Sequence, residues 1–544
     1  MKRLFKNTIK TIVIATLAGT TVTSCKKALE EKPYSFLSPN NFYKNENDAK
    51  IAINGVYNTL YSWDLYKQPF WNMTVLDDDH VSGADWFLGT TGAGNYQGYW
   101  GVDGPWVGLY SMISRANVVI ENVSKIEQDI DAEVKERIIG EAYCLRGWAY
   151  FQLVQLYGAV PLRGKSLSED PNPNVPKSPV KEVYEFIIED FKKAEQMLLP
   201  EGNPKSGEPG RVKRGVAKAF LAKTYLTMAS GSLSGAQISV RGGQDNNLYT
   251  YTKSVVAGLE GLDSRVYFEL ARDKAIELLG DNEYSLFTAS WKDIWKKENR
   301  NKGENMWELQ SLAGTDLFTN NLSAYFSAFS TFGRGAVWFT NNHYRDYEVN
   351  DLRVLQGVKH NYEMNNASKT KYFYPSWEAA TYKTIGGVTY NNNGTTDDRA
   401  YVIKYEDVAD PTIANSDAFF PLLRYSEVYL IAAEAENELS STPSVKAYEY
   451  LNEIRGRAHA SLVSNLTQQE FRSFVLAERA REFVFEGIRR FDLIRWGVYL
   501  QVMNKISAGQ DNISKSRSEK HLLFPIPNGE MLSNEAIKEN NKFW

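Results

Sequence analysis

Apolar residues recur at spacings of three and four along most of the chain beyond residue 46, a period that predicts amphipathic helices rather than strands. The first helix closes over Asn54 to Tyr61, and a second runs through Trp106, Tyr110, Ile113, Asn117 and Ile120. Between Glu141 and Tyr157, Leu145, Trp148, Ala149, Leu153 and Leu156 share one stripe, and Gly158 with Pro161 just beyond supplies the stop. Val180 to Leu199 repeats the device with Ile187, Phe191, Ala194 and Leu198, and Val216 to Met228 repeats it with Phe220, Leu221, Thr224 and Tyr225. Toward the C-terminus, Tyr425 to Leu439 is apolar on most sides, and Ala447, Leu451, Ile454 and Ala458 stripe the next helix. A further helix is predicted from Gln468 to Trp496.

Successive helices joined by short turns, with Ala, Leu and Tyr at the contact positions, predict a mostly α fold built as a tetratricopeptide-like scaffold of helical hairpins. The spacing is too irregular for a regular solenoid, so insertions must interrupt it. Residues 77–105 are rich in Gly, Asp and aromatics. Residues 311–420 carry many Asn, Gly, Thr, Tyr and Phe, with minor β pattern such as Tyr401-Val402-Ile403-Lys404-Tyr405. The expected organisation is an N-terminal helical scaffold over 46–310 bearing the aromatic loop 77–105. A loop-rich insertion follows over 311–420, and a C-terminal helical part over 421–544 packs on the same scaffold. The density of aromatics in the irregular stretches argues against disorder and for function.

The first 45 residues have a different character. Lys2, Arg3, Lys6 and Lys10 precede a short apolar run from Ile12 to Ala18, and Val22-Thr23-Ser24 lead into Cys25. The run falls well short of the roughly 20 residues that span a bilayer, so residues 1–24 are expected to be a signal peptide and Cys25 the lipid attachment site of a lipoprotein. An ordinary secretory signal with an incidental cysteine is the competing reading. Residues 25–45, with Lys26, Lys27, Glu30, Glu31, Pro33 and Pro39, read as a tether.

A hydrophobic fraction of 43% supports a large core, and no later segment is apolar enough to cross a membrane. The net charge of −4 points to neither a nucleic-acid partner nor a basic membrane patch. The second of the two cysteines, Cys144, sits within an apolar helical pattern and is expected to be small core filler.

Catalytic signatures are missing from the sequence. The five histidines form no HExxH pair, the glycines of 92–98 have the wrong spacing for a dinucleotide loop, and Leu233 stands where a nucleophile elbow needs serine. No catalytic residue, metal ligand or cofactor is therefore assigned. Asp77-Asp78-Asp79 resembles a cation site, but solvated loop acids and helix caps are the preferred reading. A glycosidase carboxylate pair far apart in the chain stays open.

The aromatic loops carry the stronger signal. Trp86, Phe87, Tyr96, Tyr99 and Trp100 fall in a Gly-rich stretch that cannot stripe them into one helix. The later insertion adds Phe332, Trp338, Tyr344, Tyr362, Tyr374 and Trp377. Indole and phenol rings offer an apolar face to the C–H face of a pyranose, and Asp, Asn and Gln nearby supply hydrogen bonds to hydroxyls. Trp86, Tyr96, Tyr99, Trp100, Phe332 and Trp338 are the candidate ligand-binding residues. For any single ring, pinning a loop onto the body is the competing role.

Several stretches resemble, in order, the SusD/RagB-like outer-membrane lipoproteins. They are Cys25 to Pro33, Trp106 to Tyr110 leading to Arg115-Ala116-Asn117, and Glu141 to Leu162. They continue with Arg424 to Leu430, Glu482 to Gly497 and Phe524-Pro525-Ile526-Pro527. The resemblance implies a non-enzymatic, surface-exposed receptor that captures oligosaccharides for a SusC-like TonB-dependent transporter, without a cofactor. A peptide receptor of the same family, a secreted glycoside hydrolase and a structural adaptor that binds only protein partners are the alternatives. The shared motifs mark scaffold rather than ligand, and Arg424, Glu486, Arg489, Arg490, Asp492 and Arg495 are expected to form buried pairs that tie the C-terminal helices together.

Overall fold

The computed structural model describes residues 42–315, 317–328, 335–364, 368–394, 398–506 and 513–544. The expected signal peptide, Cys25 and most of the expected tether, as well as Phe332, lie outside the described residues. Where the description begins, Phe42 and Tyr43 meet edge to face at 4.7 Å and Tyr43 packs on the core. The Asn45 side chain accepts from the Asp48 amide and caps the first helix, so the body starts slightly before the expected end of the tether.

The main helices are α1 (Glu46–Tyr57), α2 (Gly104–Val123), α3 (Ala132–Tyr157), α4 (Val180–Met197), α5 (Arg214–Ser232), α6 (Ser264–Gly280), α7 (Tyr425–Glu438), α8 (Val445–Arg457), α9 (Gln468–Glu482) and α10 (Arg489–Arg495). From α2 to α6 each helix packs on the next, and α7 packs on both α6 and α8. The result is the mostly α, tetratricopeptide-like array of hairpins expected from the apolar periodicity, with the chain from 281 to 424 inserted between two helices that touch. Helix α6 was missed because Arg265, Glu269, Arg272, Asp273 and Lys274 break up its apolar stripe. The antiparallel ribbon of Gln237–Gly242 with Asn247–Thr252 was also missed.

Caps and interior contacts explain the array. Asp131 accepts from the amides of Glu133 and Val134 at the start of α3, and Gly158 (φ +71°) ends it. Inside, Trp148 of α3 meets Trp307 edge to face at 5.6 Å, Trp307 meets Phe220 of α5, and Phe220 stacks on Phe191 of α4. Cys144 is fully buried among them as core filler. Arg146 of α3 makes a two-pronged pair with Asp190 of α4 at 2.8 and 2.7 Å and donates to Asn117 Oδ1 of α2 at 2.6 Å. This one guanidinium joins three successive helices, which is a structural reason for the Arg115-Ala116-Asn117 and Leu145-Arg146-Gly147 motifs.

The helix expected over Gln468 to Trp496 is instead two helices, α9 and α10, separated by residues 483–488. Phe485 and Gly487 both take positive φ (+62° and +74°), which an α-helix cannot contain. A Cβ on Gly487 would sit 2.8 Å from the Thr74 hydroxyl, so the break lets this turn press against the helix Pro69–Val75. The alternating run 401–405 makes isolated bridges, Val402 with Val358 and neighbouring Ala400 with Phe339, rather than a continuous strand. Within the insertion a four-stranded sheet is ordered Tyr382–Ile385, Val388–Asn391, Lys371–Phe373, Asn361–Glu363, and Val337–Phe339 pairs antiparallel with Val81–Gly83 of the earlier loop.

The fully buried strand Asn305–Leu309 pairs with Phe420–Arg424 and carries Glu308. Burial pushes its carboxyl up to about 8, although the Asn301 amide donates to Oε2 at 2.8 Å. The native state then holds the proton more tightly than the unfolded chain, whose glutamates titrate near pH ~4. Stability must therefore fall as pH rises from about 4 to 8. Glu308→Gln should remove that decline. Melting temperatures at pH 5, 6.5 and 8 are expected to diverge progressively, with the variant the more stable, and parallel curves would refute the assignment.

Candidate functional site

Trp63 and Trp100 stand on separate loops that the backbone brings together. Trp63 lies between the turn Asn58–Tyr61 and the helix Pro69–Val75, and Trp100 follows the turn Tyr96–Gly98 just before α2. A Cβ on Gly101 would meet the Pro69 ring at 2.8 Å, and one on Gly104 would meet the Asp64 carbonyl oxygen at 2.8 Å. Glycine at both positions permits this close approach. The two indoles then meet edge to face, centroids 6.4 Å apart, while 57% and 67% exposed. Such exposure is costly for rings of this size unless something covers them.

A cavity of about 290 Å³ opens beside Trp63, lined by Lys67, Thr319, Asn320, Asn321 and Asn415. The Lys67 ammonium lies 5.6 Å from the Trp63 ring centroid. Asn320 is fixed by its side-chain bond to the Ser311 hydroxyl (2.8 Å) and by paired backbone bonds with Ser416. Asn321 donates to Gln68 Oε1 at 3.2 Å, and its own Oδ1 is buried with no partner among the described residues. Such an oxygen lacks a donor, and a ligand hydroxyl that reached it would supply one.

Trp86, 62% exposed, joins the same region. Its ring leans on Phe87 and on Tyr325 of the short helix Leu322–Phe326, directly after Asn321, and Phe87 stacks on Tyr325 at 4.3 Å. Trp63 thus lines the cavity with residues 319–321, Trp100 stands against Trp63 on the buried Tyr99, and Trp86 stands on the buried Phe87 and Tyr325. Arrangements of this kind stack on flat apolar faces while amides take the polar edges.

The other candidates from the sequence divide. Tyr99 is buried beneath Trp100, 5.5 Å from it, and supports that ring rather than facing solvent. Trp338 is also buried, with the Arg399 guanidinium 4.8 Å from its ring centroid. Tyr96 is wholly interior, its ring against Phe524 and its hydroxyl donating to Asp77. These three offer no open face, which corrects the expectation that they stack on a ligand; the ring count of the loop exceeded what its surface can show. Trp63 and Lys67 were missed because they lie outside the two irregular stretches, and Asn320, Asn321 and Asn415 because nothing local distinguishes them from the many other asparagines of the insertion.

The Asp77-Asp78-Asp79 run is neither a cation site nor solvated. Asp77 is gripped by Arg517 at 2.9 Å, by Arg490, and by the Tyr499 hydroxyl at 2.7 Å; Asp79 takes Arg489 at 2.8 and 2.6 Å. Burial disfavours the charge on Asp77, but the two guanidiniums outweigh it and lower its carboxyl to about 2. Among the described residues no group of three or more His, Cys, Asp or Glu is placed to hold a metal. The expected pairs of Arg424, Glu486, Arg489, Arg490, Asp492 and Arg495 are all present, and two of them reach back to the aspartate loop rather than joining C-terminal helices alone.

Comparison with known proteins settles the family. A family model described as "SusD family" matches residues 193–544, and one described as "Starch-binding associating with outer membrane" matches residues 28–226. The chain belongs to the SusD family. SusD-like protein P25 of Formosa agariphila is 25% identical over 95% of both chains. The starch-binding protein SusD of Bacteroides thetaiotaomicron is 33% identical over 132 residues, covering 23% of this chain and 22% of its own. Among solved structures, a SusD homolog from the same Bacteroides species superposes with a TM-score of 0.74 at 22% identity, covering 93% of this chain and 98% of that one. Surface glycan-binding protein A of Bacteroides uniformis gives 0.67 at 19% identity, covering 90% and 98%. At these identities the superpositions show the SusD fold. They do not transfer a ligand.

Proposed function

We propose that this chain is a surface lipoprotein receptor of the outer membrane that holds an oligosaccharide on Trp63, Trp86 and Trp100 and passes it to a SusC-like TonB-dependent transporter without hydrolysing it. The observation that carries this reading is the pair of exposed indoles Trp63 and Trp100 at the asparagine-lined cavity, with the exposed Trp86 packed on Tyr325 just beyond Asn321. Two of the proteins it resembles, the starch-binding protein SusD and a surface glycan-binding protein, support the ligand class. Lipidation at Cys25 would keep such a receptor beside its transporter, since two or more acyl chains anchor stably. Among the described residues no helix is long and apolar enough to cross the membrane itself.

Titration calorimetry of the body from residue 42 against a panel of neutral oligosaccharides and oligopeptides tests the reading. Exothermic binding of at least one glycan is expected, with no release of reducing ends on incubation with the parent polysaccharide. Binding of peptides alone would move the chain to a peptide-import role, and reducing-end release would make it a hydrolase.

A further inference from the structure

A second cavity, of about 530 Å³, lies in the insertion and shares no lining residue with the cavity beside Trp63. Its aromatic wall is Tyr344, Tyr374 and Trp377: Tyr344 meets Tyr374 edge to face at 4.9 Å and Trp377 at 5.9 Å. Trp377 is 41% exposed, and Val349 and Leu355 extend the open apolar rim. The volume falls within the range of small-molecule sites.

The charges of this wall are almost all spent on the protein. Lys383 is bound to Glu378, and Glu348 takes Arg455 and the Ser461 amide and hydroxyl. Both imidazole nitrogens of His360 lie against backbone carbonyl oxygens, Tyr374 at 3.1 Å and Val354 at 3.0 Å. Asp398, within the electrostatic reach of Arg345, is held by the Ser376 amide and hydroxyl. Arg345 is the exception. It is exposed, its guanidinium lies 4.2 Å from the Trp377 ring centroid, and it has no ion pair or hydrogen bond to any described residue. The contact with the indole places the planar fork at the cavity mouth, with its N–H groups open to solvent and to a ligand. A fork prepared in this way matches a planar carboxylate or a sulfate, while the neighbouring rings match a sugar face.

We infer that Arg345 and Trp377 form a second saccharide site, selective for an anionic sugar residue, a uronate or a sulfate ester, on the same or another stretch of the ligand. This rests on the reading of the chain as a saccharide receptor, and the two are separable by experiment. Calorimetry would compare a neutral glucan hexasaccharide, a galacturonan hexasaccharide and a sulfated galactan hexasaccharide on the wild type, Arg345→Gln, Trp377→Ala and Trp63→Ala/Trp100→Ala. The wild type is expected to bind at least one acidic probe. Arg345→Gln should weaken that probe about tenfold or more, as loss of a charge-assisted bidentate contact does, and leave neutral-glucan affinity unchanged. Preference for galacturonan or for the sulfated galactan names the anion. Raising the salt should weaken the acidic probe and not the neutral one. Unchanged affinity for the acidic probe in both Arg345→Gln and Trp377→Ala overturns the second site, as does a wild type that binds only the neutral glucan. Failure of all three probes overturns the saccharide reading itself. Circular dichroism confirms folding, and Arg345→Gln, on the surface, is expected to keep its native spectrum.

Discussion

Arg424→Met should destabilise the fold by about 3–5 kcal/mol, more than any surface change in the chain, because it strips a guanidinium shared by three buried glutamates. Arg424 donates through Nε to Glu486 at 2.9 Å and through Nη1 to Glu304 at 3.0 Å and to Glu482 at 2.8 Å. Arg457 repeats the grip on Glu304 and Glu482, and Arg353 reaches Glu482 at 3.3 Å and Glu478 at 2.7 Å. These groups come from the strand before α7, from α8 and α9, and from the insertion, so a single cluster fastens the insertion to the C-terminal helices. Burial opposes ionisation of Glu482, yet Arg457, Arg424 and Arg353 hold its carboxyl well below the usual range. A lowered carboxyl contributes stability above the unfolded value, near pH ~4, and loses it progressively as pH falls below that. The gap between wild type and variant should therefore be widest near neutrality and narrow below about pH 4. Urea midpoints at about pH 7 and about pH 3 measure both effects. Equal midpoints at pH 7 would show that the cluster is dispensable.

The motifs that resemble the family were readable because buried ion pairs and helix contacts need particular residues at particular spacings. Asn117, Arg146, Arg424, Glu482 and Arg490 all turn out to bridge elements, and the helical array, apart from α6 and the division of the last long helix, followed from periodicity. The break at Phe485 was hidden because the stripe of apolar residues continues on both sides of a single left-handed turn. The site was harder. Tyr96 and Trp100 are four residues apart in one Gly-rich loop with equal claims to face a ligand, and only the packing of Phe524 and Asp77 against Tyr96 separates them. Trp63 sits beside Trp100 through a contact between loops that no local pattern announces. Local sequence marks where rings are. Tertiary packing decides which remain open.

That distinction makes the second large effect testable. Trp63→Ala/Trp100→Ala should weaken binding of the best neutral glycan by roughly a hundredfold, each indole behaving as an anchor worth more than 1 kcal/mol. Because both rings are more than half exposed, the double variant should keep its urea midpoint within about 0.5 kcal/mol of wild type. Tyr96→Phe is the converse control. It removes a buried hydroxyl from the Asp77, Arg490 and Tyr499 cluster, so it should cost about 1–3 kcal/mol of stability and leave glycan affinity alone. Calorimetry and urea denaturation on the same preparations read both quantities. Were Tyr96→Phe to lose affinity while the double tryptophan variant kept it, ligand contact would have to be sought on the interior side of the loop. The exposed indoles would then be a protein-docking surface rather than a sugar platform.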